Sequence, residues 1–557
     1  MSENTGFHPD NPLIVQSDHT LLLEVHSPRY EQARGAISAF AELEKSPEHI
    51  HTYRITPLSL WNAASAGIAA PEMLASLLEF AKYPVPQNVL ADVRELAGRW
   101  GRVQLVQQDG ELVLVSDDAA LLLELSRHRT VGPYLGAPLT PCAFVVPRRY
   151  RGVLKQALTA LGWPVEDLAG YVEGLPLQLA LRDSRLALRD YQRQAAEAFY
   201  MGGTARGGSG VIVLPCGAGK TIVGLAVMTK IGQSTLILST SRTSVEQWRR
   251  ELLDKTSIDA GDIAEYTGEV KEIGAVTLTT YQMLTYRPDA KEDFPHLRLF
   301  NQQAWGLIIY DEVHLLPAPV FRITAEVQAR RRLGLTATLI REDGREGDVF
   351  SLIGPKKYDV PWRDLEERGW IAAAVCTEVR CSLPREIRMA YATAQPRAKF
   401  RIASENPAKQ PLIRQVLARH PQAPTLIIGQ YLEQLQHIAK QLQAPLITGK
   451  TSQRERERLY ALFRTGELSL LVLSKVGNFA LDLPDAEVLI QVSGTFGSRQ
   501  EEAQRLGRVL RPKAGGRQAH FYTLVSRDTE EQEFAHHRQL FLAEQGYAYR
   551  IADAAEW

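Results

Sequence analysis

Residues 211–221 read Val-Ile-Val-Leu-Pro-Cys-Gly-Ala-Gly-Lys-Thr, and this stretch decides the fold. Val211 to Leu214 is apolar at every position, the pattern of a strand covered on both faces, as in a parallel sheet. Pro215 to Gly219 interrupts the run, and Ile222 to Lys230 has a helix-forming composition. A strand, a glycine-rich loop and a helix in succession let backbone amides turn inward around phosphate, because glycine admits angles that a side chain would obstruct. The helix start adds a favourable partial positive charge. Pro215, Cys216, Gly217, Ala218, Gly219, Lys220 and Thr221 are therefore the candidate nucleotide-binding residues. Lys220 would reach the β- and γ-phosphates of ATP, and the Thr221 hydroxyl would ligate Mg²⁺. Leu214 stands where the strict pattern has glycine, so the assignment leans on the strand before the loop and the helix after it.

Working outward, short apolar runs follow at Thr235 to Leu238, Val276 to Leu278, Leu307 to Tyr310 and Leu333 to Leu335. A second series lies at Thr425 to Ile428, Pro445 to Ile447, Leu470 to Leu473, Val488 to Val492 and His520 to Val525. Such runs, separated by helix-length segments, predict an α/β fold with two tandem parallel-sheet domains. Their boundary is expected near Pro361 to Arg368. Before them comes a mixed, mainly helical region: Thr56 can cap a helix opened by Pro57, and Pro71 opens another with Leu74, Leu77, Leu78 and Ala81 at helical spacing. Arg102 to Val115 reads as a hairpin turning at Asp109 and Gly110. Arg148, Arg149, Tyr150 and Arg151 form a basic-aromatic patch that suits a solvated helix start at least as well as a nucleic-acid contact.

Length and composition limit the classes. The 557 residues suggest three to four domains, and 45% hydrophobic with 23% charged residues is ordinary for a globular chain. Sixty-four basic and sixty-four acidic residues cancel, so any nucleic-acid surface must come from local charge. No long apolar run or signal segment is read, which predicts no membrane partner and a cytoplasmic location. Cys142, Cys216, Cys376 and Cys381 form no metal-binding or disulfide pattern, and the histidines make no convincing cage.

The run Leu307 to Tyr310 ends in Asp311, Glu312, Val313 and His314, placing two carboxylates at the carboxyl end of a parallel strand. Asp311 can hold Mg²⁺, and Glu312 can polarise an attacking water as general base. Alone, such a pair is a solvated turn; together with the glycine-rich loop it reads as the second half of an ATPase.

LPCGAGKT, DEVH, LGLTATLIRED (Leu333 to Asp343) and QRLGRVLR (Gln504 to Arg511) occur in that order. The chain thereby resembles the superfamily 2 helicases and, within them, the XPB repair family in its bacterial or archaeal form, from about Leu188 to Ile551 and more weakly before. The resemblance implies two RecA-like motor domains. It divides the chain into an interaction domain at 1–116, a damage-recognition-like region at 117–184, a first motor domain at 185–362 and a second at 363–557 with a thumb-like insertion about 384–405.

Carried over by position, the resemblance places adenine recognition on Gln192, in LRDYQ. Coupling falls on His314, Thr336 and Thr338, and γ-phosphate sensing on Gln504, Arg508 and Arg511, with the two arginines as fingers. DNA contacts fall on Thr243, Trp248, Thr280, Thr451 and Lys475, and on Arg341, Glu342 and Asp343, an element implicated in acting on duplex DNA. The implied activity is an ATP-driven 3′ to 5′ DNA helicase or duplex translocase in nucleotide excision repair, nucleoid-associated, with a repair nuclease as partner through a terminal domain. Two other readings stay open: a nucleotide-dependent scaffold that recruits a nuclease, and an RNA helicase, because phosphate contacts seldom choose between sugars.

Overall fold

The computed structural model of the chain describes residues 7–45, 49–182, 184–215, 217–289, 294–328, 330–337, 344–360, 365, 368, 370, 374–474, 486–494, 518–535, 539, 549–555 and 557. These divide into two compact units, one of Met1–Leu214 with Gly219–Asp359 and one of Pro215–Ala218 with Val360–Trp557.

The first unit opens with more sheet than its helical periodicity predicts. Strands β1 (Leu13–Val15), β2 (Thr20–Glu24), β3 (Glu42–Lys45) and β4 (Ile50–Arg54) pair antiparallel in the order β1-β2-β4-β3. They are short, and β3 and β4 mix charged and polar residues with few apolar ones, so no apolar alternation marks them. The expected helices are present as Pro57–Ser65 and Ala70–Phe80, the first capped by the Thr56 hydroxyl accepting from the Ser59 amide. Leu78 is 55% exposed, because the buried face of its helix runs through Met73, Leu74, Leu77 and Phe80.

The hairpin forms as β5 (Val103–Gln108) and β6 (Glu111–Val115), joined by Asp109 and Gly110, both at positive φ. With β7 (Pro138–Thr140), β8 (Ala143–Val145) and β9 (Val165–Asp167) it builds a sheet in the order β7-β8-β6-β5-β9. Part of the basic-aromatic patch is structural. Buried Arg151 donates to both carboxylate oxygens of Asp167 at 3.0 and 2.7 Å, and Lys155 adds a third contact at 2.9 Å, fixing helix Arg151–Ala160 to β9.

The first parallel sheet contains β10 (Ser209–Val213), β11 (Thr235–Ser239), β12 (Ile263–Tyr266), β13 (Val276–Thr280), β14 (Leu307–Asp311), β15 (Arg331–Thr336) and β16 (Lys356–Asp359), in the order β12-β13-β11-β14-β15-β10-β16. All five apolar runs are strands here, and the two additions, β12 and β16, take the edges. An extended segment at 175–182 runs past the starts of the strands, stitched by backbone hydrogen bonds. Leu175 N donates to Ala304 O (3.1 Å), Ser234 N to Leu175 O (2.7 Å), Leu177 N to Gly232 O (2.9 Å), Ser257 N to Ala180 O (2.9 Å) and Arg182 N to Lys255 O (2.8 Å).

The second unit repeats the parallel architecture with β17 (Ala374–Cys381), β18 (Thr425–Gly429), β19 (Leu446–Ile447), β20 (Leu470–Ser474), β21 (Val488–Gln491), β22 (Ala519–Ser526) and β23 (Tyr549–Asp553), in the order β19-β20-β18-β21-β22-β17-β23. Its helix Lys409–Arg419 starts with a buried ion pair. Lys409 Nζ lies 2.7 and 2.8 Å from the two Glu531 oxygens and also donates to the Val492 and Ser404 carbonyls, both side chains being 1% exposed. The stretch expected to be a thumb-like insertion forms helices Arg385–Thr393 and Pro396–Ser404, and Arg401 is paired with Glu405 and Glu433.

Candidate functional site

In the first sheet β14, β15 and β10 are successive neighbours, and being parallel they release their loops at one edge. Leu214 N, leaving β10, donates to Thr336 O at the end of β15 (2.9 Å). Gly217 and Gly219 then adopt φ values of +83° and +82°. The backbone angle at Gly219 is one that side chains rarely adopt, so glycine is required there, and a Cβ would also lie 2.6 Å from Gln192 Nε2 and push that amide aside. Gln192 is 4% exposed, in the first turn of helix Asp190–Tyr200, and its Oε1 accepts from Arg189 N (3.1 Å). The adenine-reading candidate thus stands beside the loop exit.

Lys220 and Thr221 open helix Lys220–Ile231, directly after left-handed Gly219. Lys220 Nζ is 3.3 Å from Glu312 Oε1, with the two side chains 11% and 14% exposed. Glu312 itself has φ +52° and ψ 54°, a left-handed conformation that strains a residue with a side chain. This turn follows β14 and holds the carboxylate against Lys220. Buried His314 lies in the same turn, its Nδ1 2.7 Å from Thr336 Oγ1 and 3.6 Å from Glu312 Oε2. Glu312, His314 and Thr336 therefore form one connected group at the ends of β14 and β15.

Asp311 is engaged from three sides. Its Oδ2 accepts from the Trp248 indole N–H at 3.0 Å and from the Ser244 hydroxyl at 3.3 Å, and its backbone carbonyl accepts from the Tyr281 hydroxyl at 2.9 Å. Burial, then the neighbouring Glu312 carboxylate, push the Asp311 carboxyl up to about 6, against the opposing pull of Trp248, Lys220 and Ser244. A buried carboxyl in that range gains from an added cation. With the Thr221 hydroxyl in the first turn of the adjoining helix, the oxygen donors suit Mg²⁺, a hard cation that shares its shell with phosphate.

The DNA-contact candidates separate. Trp248 is a correction: it is 1% exposed and faces the interior, because Val245, Trp248 and Leu252 form the apolar side of helix Arg242–Lys255. Thr243 lies in the first turn of that helix. Half-buried Thr280 caps helix Tyr281–Leu284, accepting from Met283 N (3.1 Å), and Thr451 accepts from Thr448 N (2.9 Å) ahead of helix Gln453–Thr465. Cys216, Thr338, Arg341, Glu342, Asp343, Lys475, Gln504, Arg508 and Arg511 lie outside the described residues. The contacts of Ser244 and Tyr281 with Asp311 were not anticipated from the sequence. The four-residue step from Ser244 to Trp248, which puts both on one side of a helix, is the signal for the Ser244 contact, and it does not reach Tyr281 on its separate helix.

Comparison with known proteins identifies the family. The family described as ERCC3/RAD25/XPB C-terminal helicase matches residues 365–556, a helicase conserved C-terminal domain matches 13–140, and the type III restriction enzyme res subunit matches 185–341. The DNA 3′-5′ helicase XPB of Kineococcus radiotolerans is 57% identical over 546 residues, covering 98% of this chain and 97% of that protein. That of Mycobacterium tuberculosis is 56% identical, covering 98% of each. The general transcription and DNA repair factor IIH helicase/translocase subunit XPB of Drosophila melanogaster is 32% identical, covering 98% of this chain and 78% of its own. Among solved structures, the ATP-dependent Type ISP restriction-modification enzyme LlaBIII bound to DNA is similar in fold, with a TM-score of 0.51 at 12% identity over 70% of this chain and 33% of that one. Identity at this level over nearly the full length of its bacterial relatives means that the chain belongs to the XPB helicase family.

Proposed function

We propose that this chain is an ATP-driven DNA helicase or duplex translocase, moving 3′ to 5′ and serving DNA repair of the nucleotide-excision type. The observation that carries the reading is the meeting of Lys220, Asp311, Glu312 and the His314–Thr336 pair at one edge of one parallel sheet. Amides of Gly217 to Lys220 and the Lys220 ammonium take the β- and γ-phosphates, and Gln192 takes the adenine edge. Thr221 and Asp311 would hold Mg²⁺, which supplies charge neutralisation on the phosphate oxygens. A triphosphate drawing Lys220 to itself leaves Glu312 to accept a proton from the water that attacks the γ-phosphorus; the bond to the bridging oxygen breaks, giving ADP and phosphate. His314 and Thr336 hold the strained Glu312 turn, and coupling is assigned to them together with Thr338, two residues further along the chain.

Gln504, Arg508 and Arg511 are assigned to γ-phosphate sensing. Thr243, Thr280, Thr451, Lys475 and Arg341 to Asp343 are assigned to DNA, gripping phosphates without reading sequence. The division into four domains with a thumb-like insertion, a nucleoid-associated cytoplasmic location and a nuclease partner at a terminal domain belong to the same reading. Among the described residues no helix is long and apolar enough to cross a membrane.

The test is ATP turnover with duplex DNA, single strands and RNA, alongside unwinding of substrates with 3′ or 5′ tails. Duplex DNA should stimulate turnover, 3′-tailed substrates should open, and Lys220→Ala and Glu312→Gln should each lose on the order of 10²-fold or more in turnover. DNA-stimulated turnover surviving in Lys220→Ala overturns the assigned site, and stimulation by RNA alone replaces the DNA reading with an RNA one.

A further inference from the structure

We propose that Trp248, Ser244 and Tyr281 are positioning residues that carry DNA occupancy to Asp311, and through it to ATP hydrolysis. The inference rests on the preceding reading of Asp311 as an ATP-site residue and of the Thr243 and Thr280 turns as DNA contacts. Two separate segments assigned to DNA end on the same aspartate. Helix Arg242–Lys255 starts beside Thr243, with Ser241 capping it by accepting from Ser244 N (3.2 Å), and directs the Ser244 hydroxyl and the Trp248 indole onto Asp311 Oδ2. At the other segment Thr280 caps the helix whose first residue, Tyr281, is 5% exposed and donates to the Asp311 carbonyl. One segment thus holds the carboxylate and the other holds the backbone behind it.

Trp248 has a third neighbour. A Cβ on Gly224, in the helix that Lys220 opens, would lie 2.5 Å from the tip of the indole ring. The ring is therefore packed on the backbone of the nucleotide helix while its N–H is bonded to Asp311. Phosphate contacts that shift the start of helix Arg242–Lys255 must move this indole, and the indole cannot move without changing its contact with Asp311, with Gly224 or with both. Close packing turns small displacements into discrete rearrangements, which is what coupling between two sites requires. Hydrogen bonds to a charged acceptor are the stronger class, so these donors fix the direction in which Asp311 points.

Trp248→Phe and Tyr281→Phe each remove one donor and keep a ring. In the full chain, kcat and KM for ATP are measured with and without duplex DNA, together with DNA affinity and melting temperature. The ratio of DNA-stimulated to basal kcat is expected to fall about fivefold to tenfold in each variant, the loss that one such hydrogen bond corresponds to. KM for ATP and DNA affinity should stay within about twofold, and the double variant should lose less than the product of the single effects, because both donors act through Asp311. Equal proportional loss of basal and stimulated kcat, or an unchanged ratio, overturns the relay and leaves these residues a packing role. Should Trp248→Phe fail to fold, Tyr281→Phe, which deletes a single oxygen, decides. A parent chain whose turnover ignores DNA, or a Lys220→Ala chain that retains turnover, instead overturns the underlying functional reading and the relay with it.

Discussion

Glu312 shows what a single residue gives up for chemistry. Its left-handed backbone would suit glycine, yet its carboxylate is the proposed base. Glu312→Gly should remove ATP turnover, measured by phosphate release, while its melting temperature changes little, because relief of the left-handed backbone, about 1–2 kcal/mol, is offset by loss of the pairing with Lys220. A different expectation applies to Lys409, whose ammonium is fully paired in the interior of the second unit. Lys409→Met leaves Glu531 as an unpaired buried carboxylate and should cost about 3–5 kcal/mol, seen as a lowered melting transition. Lys220, Asp311 and Glu312 were legible in the sequence because each sits within a few residues of an apolar strand that fixes its place. Trp248 was not, because its helix, Arg-Thr-Ser-Val-Glu-Gln-Trp-Arg-Arg, is rich in charge and its indole is placed by contacts with residues 24 and 63 positions away.

Among elements, β4 and β9 carry half-buried ionisable groups that give the first unit a pH response. Burial, and then Arg34, push the imidazole of His51 on β4 down to about 4. Between the ordinary value of 6.5 and about 4 the unfolded chain binds the proton that the folded one refuses, so stability falls as pH falls through this window. The loss should approach about 2–3 kcal/mol and shrink in His51→Gln, measured by denaturant titration across pH. Asp167 on β9 behaves in the same direction at lower pH. Burial alone would raise its carboxyl, but Lys155 and Arg151 hold it well below the usual range, so its contribution is present above the ordinary carboxylate value of 3.8 and is lost as pH falls below it.

In the two parallel sheets, the strands readable in advance are those written as consecutive apolar residues. Those missed are mixed in sequence: β17, Ala-Val-Cys-Thr-Glu-Val-Arg-Cys, interleaves polar and charged residues yet buries Glu378 completely, and β23 is an edge strand with Ile551 exposed. A charged residue inside a strand reads as surface until its partner is known, and Glu378 finds Arg380 on its own strand and the Tyr549 hydroxyl on the neighbouring one.

For the whole molecule, the equal numbers of acidic and basic residues leave no global field to draw in DNA, so affinity must come from local phosphate contacts. Binding should weaken steeply with salt: a footprint of about six phosphates loses on the order of 10³-fold between about 50 and 200 mM, measured by titration at several ionic strengths. Salt-insensitive binding would contradict a phosphate track. The stitched segment at 175–182 has a further consequence for how the protein can be divided. Its backbone caps amides and carbonyls of Gly232, Ser234, Lys255, Ser257 and Ala304, so a fragment cut to begin at Leu188 would bare a row of polar main-chain groups along the sheet's lower rim. Such a rim invites pairing with a second chain, so the isolated catalytic piece should clump in solution where the 557-residue chain does not.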